Sequence, residues 1–169
     1  FVVLVGTHVS ALPVESLGLS EAVDAVAVGE YDATLLDLAA ALETGRDLAT
    51  VPGICHRGAA GPVCTPRRAP IADLDAIPFV SRVYRRFLKI EHYFNPNALH
   101  PMVTITTSRG CPFQCTFCVY PQTMMGHRLR LRSVGNVLDE IEYIVREFPQ
   151  AAAIFFEDDT FAAVKRRCV

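Results

Sequence analysis

Apolar and β-branched residues fill the first five positions, Phe1-Val2-Val3-Leu4-Val5, and stop at Gly6, the pattern of a strand buried on both faces of a parallel sheet. Because the first residue already lies inside such a strand, upstream sequence is expected. A loop at residues 6–13, a short helix at 14–17 and a second apolar strand at 23–28 follow. Gly29-Glu30 then opens a helix over 31–42, with Leu35, Leu36, Leu38, Ala39 and Leu42 as its apolar face and Gly45 as its stop. The βαβα alternation predicts the α/β class and a doubly wound sheet. Such sheets bind ligands outside the C-terminal ends of their strands, which makes residues 6–10 and the turn at 28–30 candidate contacts. Taken alone, His8 also reads as a loop histidine with a local hydrogen bond, and Gly29 as a plain turn.

Further along, the pattern shortens. Val51-Pro52-Gly53-Ile54-Cys55-His56 and Pro62-Val63-Cys64 read as a hairpin at the edge of this first domain. Pro66, Pro70 and Pro78, with Asp73 and Asp75 between them, mark an extended linker. The expected division is a first domain at 1–70, a linker at 71–100 and a second domain at 101–169. Within the linker, residues 82–93 form an apolar and basic mixture suited to a helix that docks onto the second domain. Met102 to Thr107 reads as a strand, and Ser133 as the N-cap of a helix striped by Val137, Leu138, Ile141, Ile144, Val145 and Phe148 and ended by Pro149. Residues 151–156 form the next buried strand, closed by Glu157-Asp158-Asp159. Strand, loop, helix, strand and acidic cluster make one and a half βα units of a barrel, so the barrel is expected to be incomplete. A chain of that kind is expected to be poorly soluble alone and to turn over no substrate.

Composition narrows the reading. With 51% hydrophobic and 20% charged residues the chain is globular, and a net charge of −2 gives no electrostatic case for nucleic acid. No apolar run reaches the roughly 18 residues that span a bilayer, and the start lacks the basic region of a signal peptide, so a cytoplasmic location is expected. Three of the six cysteines are clustered, which fits metal ligation in a reducing compartment better than a disulfide framework. Cys55, Cys64 and Cys168 read as ordinary thiols.

The cluster itself is Cys111, Cys115 and Cys118, on the loop that leaves the 102–107 strand at its C-terminal end. Three thiolates so spaced can converge on one metal centre, and CxxxCxxC leaves one iron of a four-iron four-sulfur cube without a protein ligand. A structural zinc with a fourth ligand such as His127, or buried thiols without metal, satisfies the same spacing. Downstream, Arg128, Arg130 and Arg132 alternate with Leu129 and Leu131. An extended segment would place the three guanidinium groups on one side, facing either an anion or solvent.

With Phe117 before the last cysteine and Ser108-Arg109-Gly110 before the first, the stretch resembles the signature of the radical S-adenosylmethionine (SAM) enzymes. The resemblance implies that Cys111, Cys115 and Cys118 hold the cluster, that the open iron chelates SAM, and that one electron splits SAM into methionine and a deoxyadenosyl radical. It places Phe117 beside the adenine. It also implies a contact from Glu157 and Asp158 to the amino group, although Glu-Asp-Asp-Thr-Phe stands where the family often has Gly-Gly-Glu. Arg130 would then meet the SAM carboxylate or a polar substrate. The run from Gly6 to Pro13, followed by Val-Asp-Ala-Val-Ala-Val-Gly-Glu at 23–30, resembles the C-terminal part of the cobalamin-binding domain that precedes the radical SAM barrel in one subgroup. By that resemblance His8 and Gly29 face cobalamin. The stretch from Cys115 to Ser133, with Ile-Phe-Phe-Glu-Asp-Asp-Thr-Phe later, is most similar to the subgroup associated with bacterial hopanoid side-chain biosynthesis. The implied partners are a small-molecule or lipid substrate and an electron donor such as a flavodoxin or ferredoxin, with at most peripheral membrane contact. No residue is assigned to catalysis itself. A tRNA methylthiotransferase is a rival, but it would need a second upstream cysteine trio that Cys55 and Cys64 do not supply. A non-enzymatic zinc module or inactive fragment is the other rival.

Overall fold

The structure is a computed structural model that describes residues 1–168. In chain order its first elements are β1 (Val3–Leu4), α1 (Thr7–Ala11), α2 (Pro13–Gly18), β2 (Ala25–Ala27), α3 (Asp32–Thr44), β3 (Ile54–Gly58) and β4 (Gly61–Cys64). They continue with α4 (Val80–Phe87), β5 (Met102–Ile105), β6 (Ser108–Arg109), α5 (Tyr120–Thr123), β7 (Arg130–Leu131), α6 (Val134–Glu147) and β8 (Ala153–Phe156). The chain divides into two compact units. One comprises Phe1–Ile71 with Cys111–Arg128, and the other comprises Ala72–Gly110 with the chain from Leu129 on.

In the first unit the sheet order is β1-β2-β3-β4, with β1 and β2 parallel and the remaining pairs antiparallel. The hairpin therefore sits at the sheet edge, as its short apolar runs predict. Successive residues of β2 point to opposite faces, and both faces are covered. Val26 joins Val9, Leu17, Val23 and Val28 on one side, and Ala27 joins Leu38, Ala41, Val51 and Ile54 on the other. Helix α3 ends at Gly45, as expected, but its buried face is set by Thr34, Leu38 and Ala41. Leu36, expected in that face, is 75% exposed, and Leu42 is exposed as well. At 100° per residue both positions turn away from the 34–38–41 stripe.

The expectation that Cys55 and Cys64 are ordinary thiols is overturned: they form a disulfide. The reason is register. A two-residue turn pairs Gly58 with Gly61, which sets Cys55 directly opposite Cys64 in the ladder. Spacing alone carries no such information, because register depends on turn length.

Gly53, which follows Pro52 just before β3, has φ of +82°, and a Cβ there would lie 2.9 Å from Thr34 Oγ1. That hydroxyl donates to the Pro52 carbonyl and accepts from Arg68 Nε, each at 3.2 Å, so it has little room to yield. Gly53→Ala is expected to cost about 1–3 kcal/mol, read as a lower denaturant midpoint with an unchanged slope.

The second unit contains one βαβ turn of chain. β5 and β8 pair in parallel from Met102↔Ala153 to Ile105↔Phe156, with α6 as the crossover. Val103 and Ile105 point to the helix side, where they join Ile90, Ile144 and Phe148. Ser133 caps α6 as predicted, its Oγ accepting from the Asn136 amide at 3.2 Å. Of the expected stripe, Val137, Ile144 and Phe148 are buried, while Leu138 and Val145 are exposed. The stretch read as a linker belongs to this unit and carries α4, with Leu74, Ser81 and Ile90 buried.

The arginine alternation is resolved in an unexpected sense. Arg130 and Arg132 are buried and Leu131 is exposed, so the solvent-facing alternative fails for these two, while Arg128 remains exposed. Arg132 is committed to the fold. Its Nη1 donates to Glu140 Oε2 at 2.5 Å and to the Thr106 carbonyl at 2.8 Å, and its Nε donates to Asn136 Oδ1 at 2.7 Å. The other Glu140 oxygen accepts from the Ser81 amide (3.1 Å) and hydroxyl (2.8 Å), which anchors α4 on α6. Among the described residues, no helix is long and apolar enough to cross a membrane.

Candidate metal centre

The cysteine loop starts where β6 and β7 pair antiparallel through Ser108↔Leu131 and Arg109↔Arg130. Gly110, at φ of +89°, turns the chain into Cys111 in a conformation that only glycine adopts without strain. The Cys111 amide donates to the Gly126 carbonyl at 3.2 Å, so the loop is closed at its base. Within it, the Cys118 amide donates to the Cys115 carbonyl at 3.1 Å, a tight turn across the CxxC half of the motif. All three cysteines are free thiols, Cys115 exposed and Cys111 and Cys118 half-buried. Phe117 is 87% exposed, with its ring open to a ligand.

Among the described residues, no three His, Cys, Asp or Glu side chains already converge as a metal site, and this includes His127 with the cysteines. The test of fit therefore rests on donor chemistry. Three uncommitted, solvent-accessible thiols lie within one short loop whose base is pinned, and soft thiolates are the ligands of iron–sulfur clusters. Cys55 and Cys64, bonded to each other, are withdrawn from that set. The donors fit a four-iron cluster held by three cysteines.

The three acids after β8 have separate surroundings. Asp158 accepts from the Thr107 amide (2.9 Å), the Thr107 hydroxyl (3.1 and 3.2 Å to its two oxygens) and the Ser108 hydroxyl (2.5 Å). Asp159 accepts from the Gly110 amide at 3.2 Å; burial, opposed by that bond, pushes its carboxyl above the usual carboxylate range. Glu157 faces elsewhere. It lines a cavity of about 370 Å³ with Tyr84, Tyr93, Phe94, Met102 and Thr104, and burial followed by the Glu157 charge raises the Tyr84 hydroxyl. Of the residues expected to meet SAM, Glu157 lies on an open cavity, Phe117 is exposed, and Arg130 is buried in β7 opposite Arg109. Arg167, which no motif or spacing pointed to, donates to the Thr107 carbonyl (3.1 Å) and hydroxyl (3.3 Å).

In the first unit, the two strand ends singled out from the sequence meet the segment that follows the cysteines, although residues 7–11, expected as a loop, form helix α1. The Gly29 amide donates to Ser10 Oγ at 2.9 Å, and Ser10 Oγ lies 3.5 Å from Met124 Sδ. Arg67 spans the two, donating to the carbonyls of Ser10 (3.1 Å) and Gln122 (3.3 Å). His8 is exposed on α1, and its carbonyl accepts from the Leu12 amide. Ser10 lay within the predicted loop, whereas Arg67, in a proline-flanked stretch, carried no signal.

Over all 169 of its residues the chain is 33% identical to an uncharacterized methyltransferase of Pyrococcus horikoshii, of which it covers 35%. It matches the structure of the radical SAM methyltransferase TsrM from Kitasatospora setae with cobalamin and a four-iron four-sulfur cluster bound. That match covers 98% of this chain and 32% of that one, at a TM-score of 0.67 and 20% identity. A second match is the cobalamin-dependent SAM radical enzyme OxsB with aqua-cobalamin and SAM bound, over 93% of this chain and 21% of that one, at a TM-score of 0.68 and 20% identity. No protein-family model matches. The chain spans about a third or less of the length of these proteins. It thus has the fold of the cobalamin-dependent, methyltransferase-like radical SAM enzymes.

Proposed function

We propose that the protein is a cobalamin-linked radical SAM enzyme in which Cys111, Cys115 and Cys118 hold a four-iron four-sulfur cluster. The observation that carries this reading is the set of three free thiols on the pinned loop after β6, in a chain with this fold. A bound cluster supplies the electron that cleaves SAM. The chain's own residues bind and orient. Phe117 stacks on the adenine, Glu157 takes the amino group from its cavity edge, and Arg130 balances the carboxylate. At the strand ends of the first unit, Gly29 offers close backbone approach and His8 a polar contact to cobalamin. Methyl transfer is the reaction supported by the methyltransferase relatives. For the substrate we infer a hopanoid side-chain precursor, supported by the resemblance of the Cys115 to Ser133 run, with a flavodoxin or ferredoxin as electron donor.

The test is anaerobic reconstitution with iron and sulfide, reduction, and electron paramagnetic resonance with and without SAM. A four-iron signal that shifts on SAM addition is expected; an unshifted signal would sink the radical SAM reading. Incubation with cobalamin, reductant and a hopanoid precursor then tests the substrate. A methylated small molecule without any modified lipid would overturn the hopanoid assignment and leave the enzyme class standing.

A further inference from the structure

We propose that Asp158 is a positioning residue for the first cluster cysteine, holding the lead-in to the loop rather than touching SAM. The inference rests on the cluster reading above. One carboxylate takes up four donor contacts, and all of them come from two consecutive residues, Thr107 and Ser108, both buried. Both oxygens are therefore turned toward the backbone that leads to Cys111. Thr107 is held on every polar atom, because its hydroxyl donates to Asp158 and accepts from Arg167, and its carbonyl also accepts from Arg167. Its neighbours are fixed in the same way, the Thr106 carbonyl by Arg132 and the Gly110 amide by Asp159.

The consequence is geometric. Between Ser108 and Cys111 lie two residues, Arg109 in the β6–β7 ladder and Gly110 in its left-handed turn. With the peptide planes rigid, the clamp on Thr107 and Ser108, the ladder at Arg109 and the Asp159 bond to Gly110 together restrain the backbone up to the residue before Cys111. A cluster ligand so placed does not need to find its orientation at each encounter with iron. Groups that orient metal ligands from behind in this manner typically change metal retention about 10- to 100-fold when removed. The three adjacent acids then divide their work: Glu157 opens onto the cavity, while Asp158 and Asp159 bond to the Thr107–Gly110 stretch.

The test uses the reconstituted protein and its Asp158→Ala, Asp158→Asn, Ser108→Ala and Asp139→Asn variants, all kept anaerobic and well below unfolding. Iron release to a ferrous chelator is followed, together with the line shape of the reduced cluster. Asp158→Ala should release iron about tenfold faster with a broadened signal. Asp158→Asn, which keeps an acceptor oxygen, should fall between it and the native protein. Ser108→Ala should accelerate release less, and Asp139→Asn, at an exposed acid on α6, should release iron at the native rate. Native release from Asp158→Ala, or equal acceleration by Asp139→Asn, would overturn the clamp. If Asp158→Ala does not fold, the Asn and Ser108 variants decide on the same criterion. Failure of the native protein to take up a four-iron cluster would instead sink the underlying reading. Amide exchange at Ser108, Gly110 and Cys111 in the metal-free variants still tests the clamp in that case, since exchange unchanged from native would overturn it.

Discussion

Replacing Cys115 with alanine is expected to abolish the visible absorbance of the reconstituted cluster, while Cys55→Ser leaves it at the native level. With only two thiolates left on the loop, a cube that already has one open iron would have a second, and retention should fall by at least an order of magnitude. Cys55 makes the useful comparison because it is as native a cysteine as Cys115 but is bonded to Cys64 across the β3–β4 ladder. Iron content and the absorbance spectrum after desalting check both variants. Equal loss of iron from the two would show that the three-thiol assignment is wrong.

The largest expected effect on stability lies at Glu140. Glu140→Ala strands the Arg132 guanidinium in a nearly dry interior and leaves the Ser81 amide and hydroxyl without their acceptor. Removing one partner of a buried ion pair costs about 3–5 kcal/mol. Replacing Glu140 and Arg132 together with apolar residues of similar volume should recover much of that loss, because no uncompensated charge then remains. Denaturant titration of the two variants reads the difference. A single variant that loses less than roughly 1 kcal/mol would mean that water reaches the pair.

What the sequence made legible was local. The cysteine trio shows in one glance because metal-ligand spacing is a property of neighbouring residues, and the strands at 102–105 and 153–156 show because their apolar runs are short and bounded. The Cys55–Cys64 bond did not show, since it depends on which residues a two-residue turn sets opposite each other. The arginines revealed their period but not their direction. Alternation places Arg130 and Arg132 together, and only the partner decides whether that side faces the core. For Arg132 the partner had in fact left a trace: Glu140 occupies the helical stripe of Val137 and Ile144, a charge at a position reserved for apolar side chains. Read as a buried acid in need of a cation, it would have pointed to Arg132. Asp158 was singled out only by resemblance, for the amino group of SAM, and nothing local in the sequence marked Thr107 and Ser108, some fifty residues earlier, as its partners.

The assignment of Cys111–Arg128 to the same compact unit as the first 71 residues bears on the timing of synthesis. The β1-β2-β3-β4 sheet can form on the ribosome once Cys64 has emerged, but the Ser10 and Gly29 loops meet Gln122 and Met124 only after about forty intervening residues of the other unit have been made. At typical rates of roughly 5–20 residues per second, the roughly 60 residues from Cys64 to Met124 make that end of the sheet wait about 3–12 s for its last segment. The cysteine-bearing segment is thus the last part of this unit to be made, and it arrives at a sheet whose four strands are already complete.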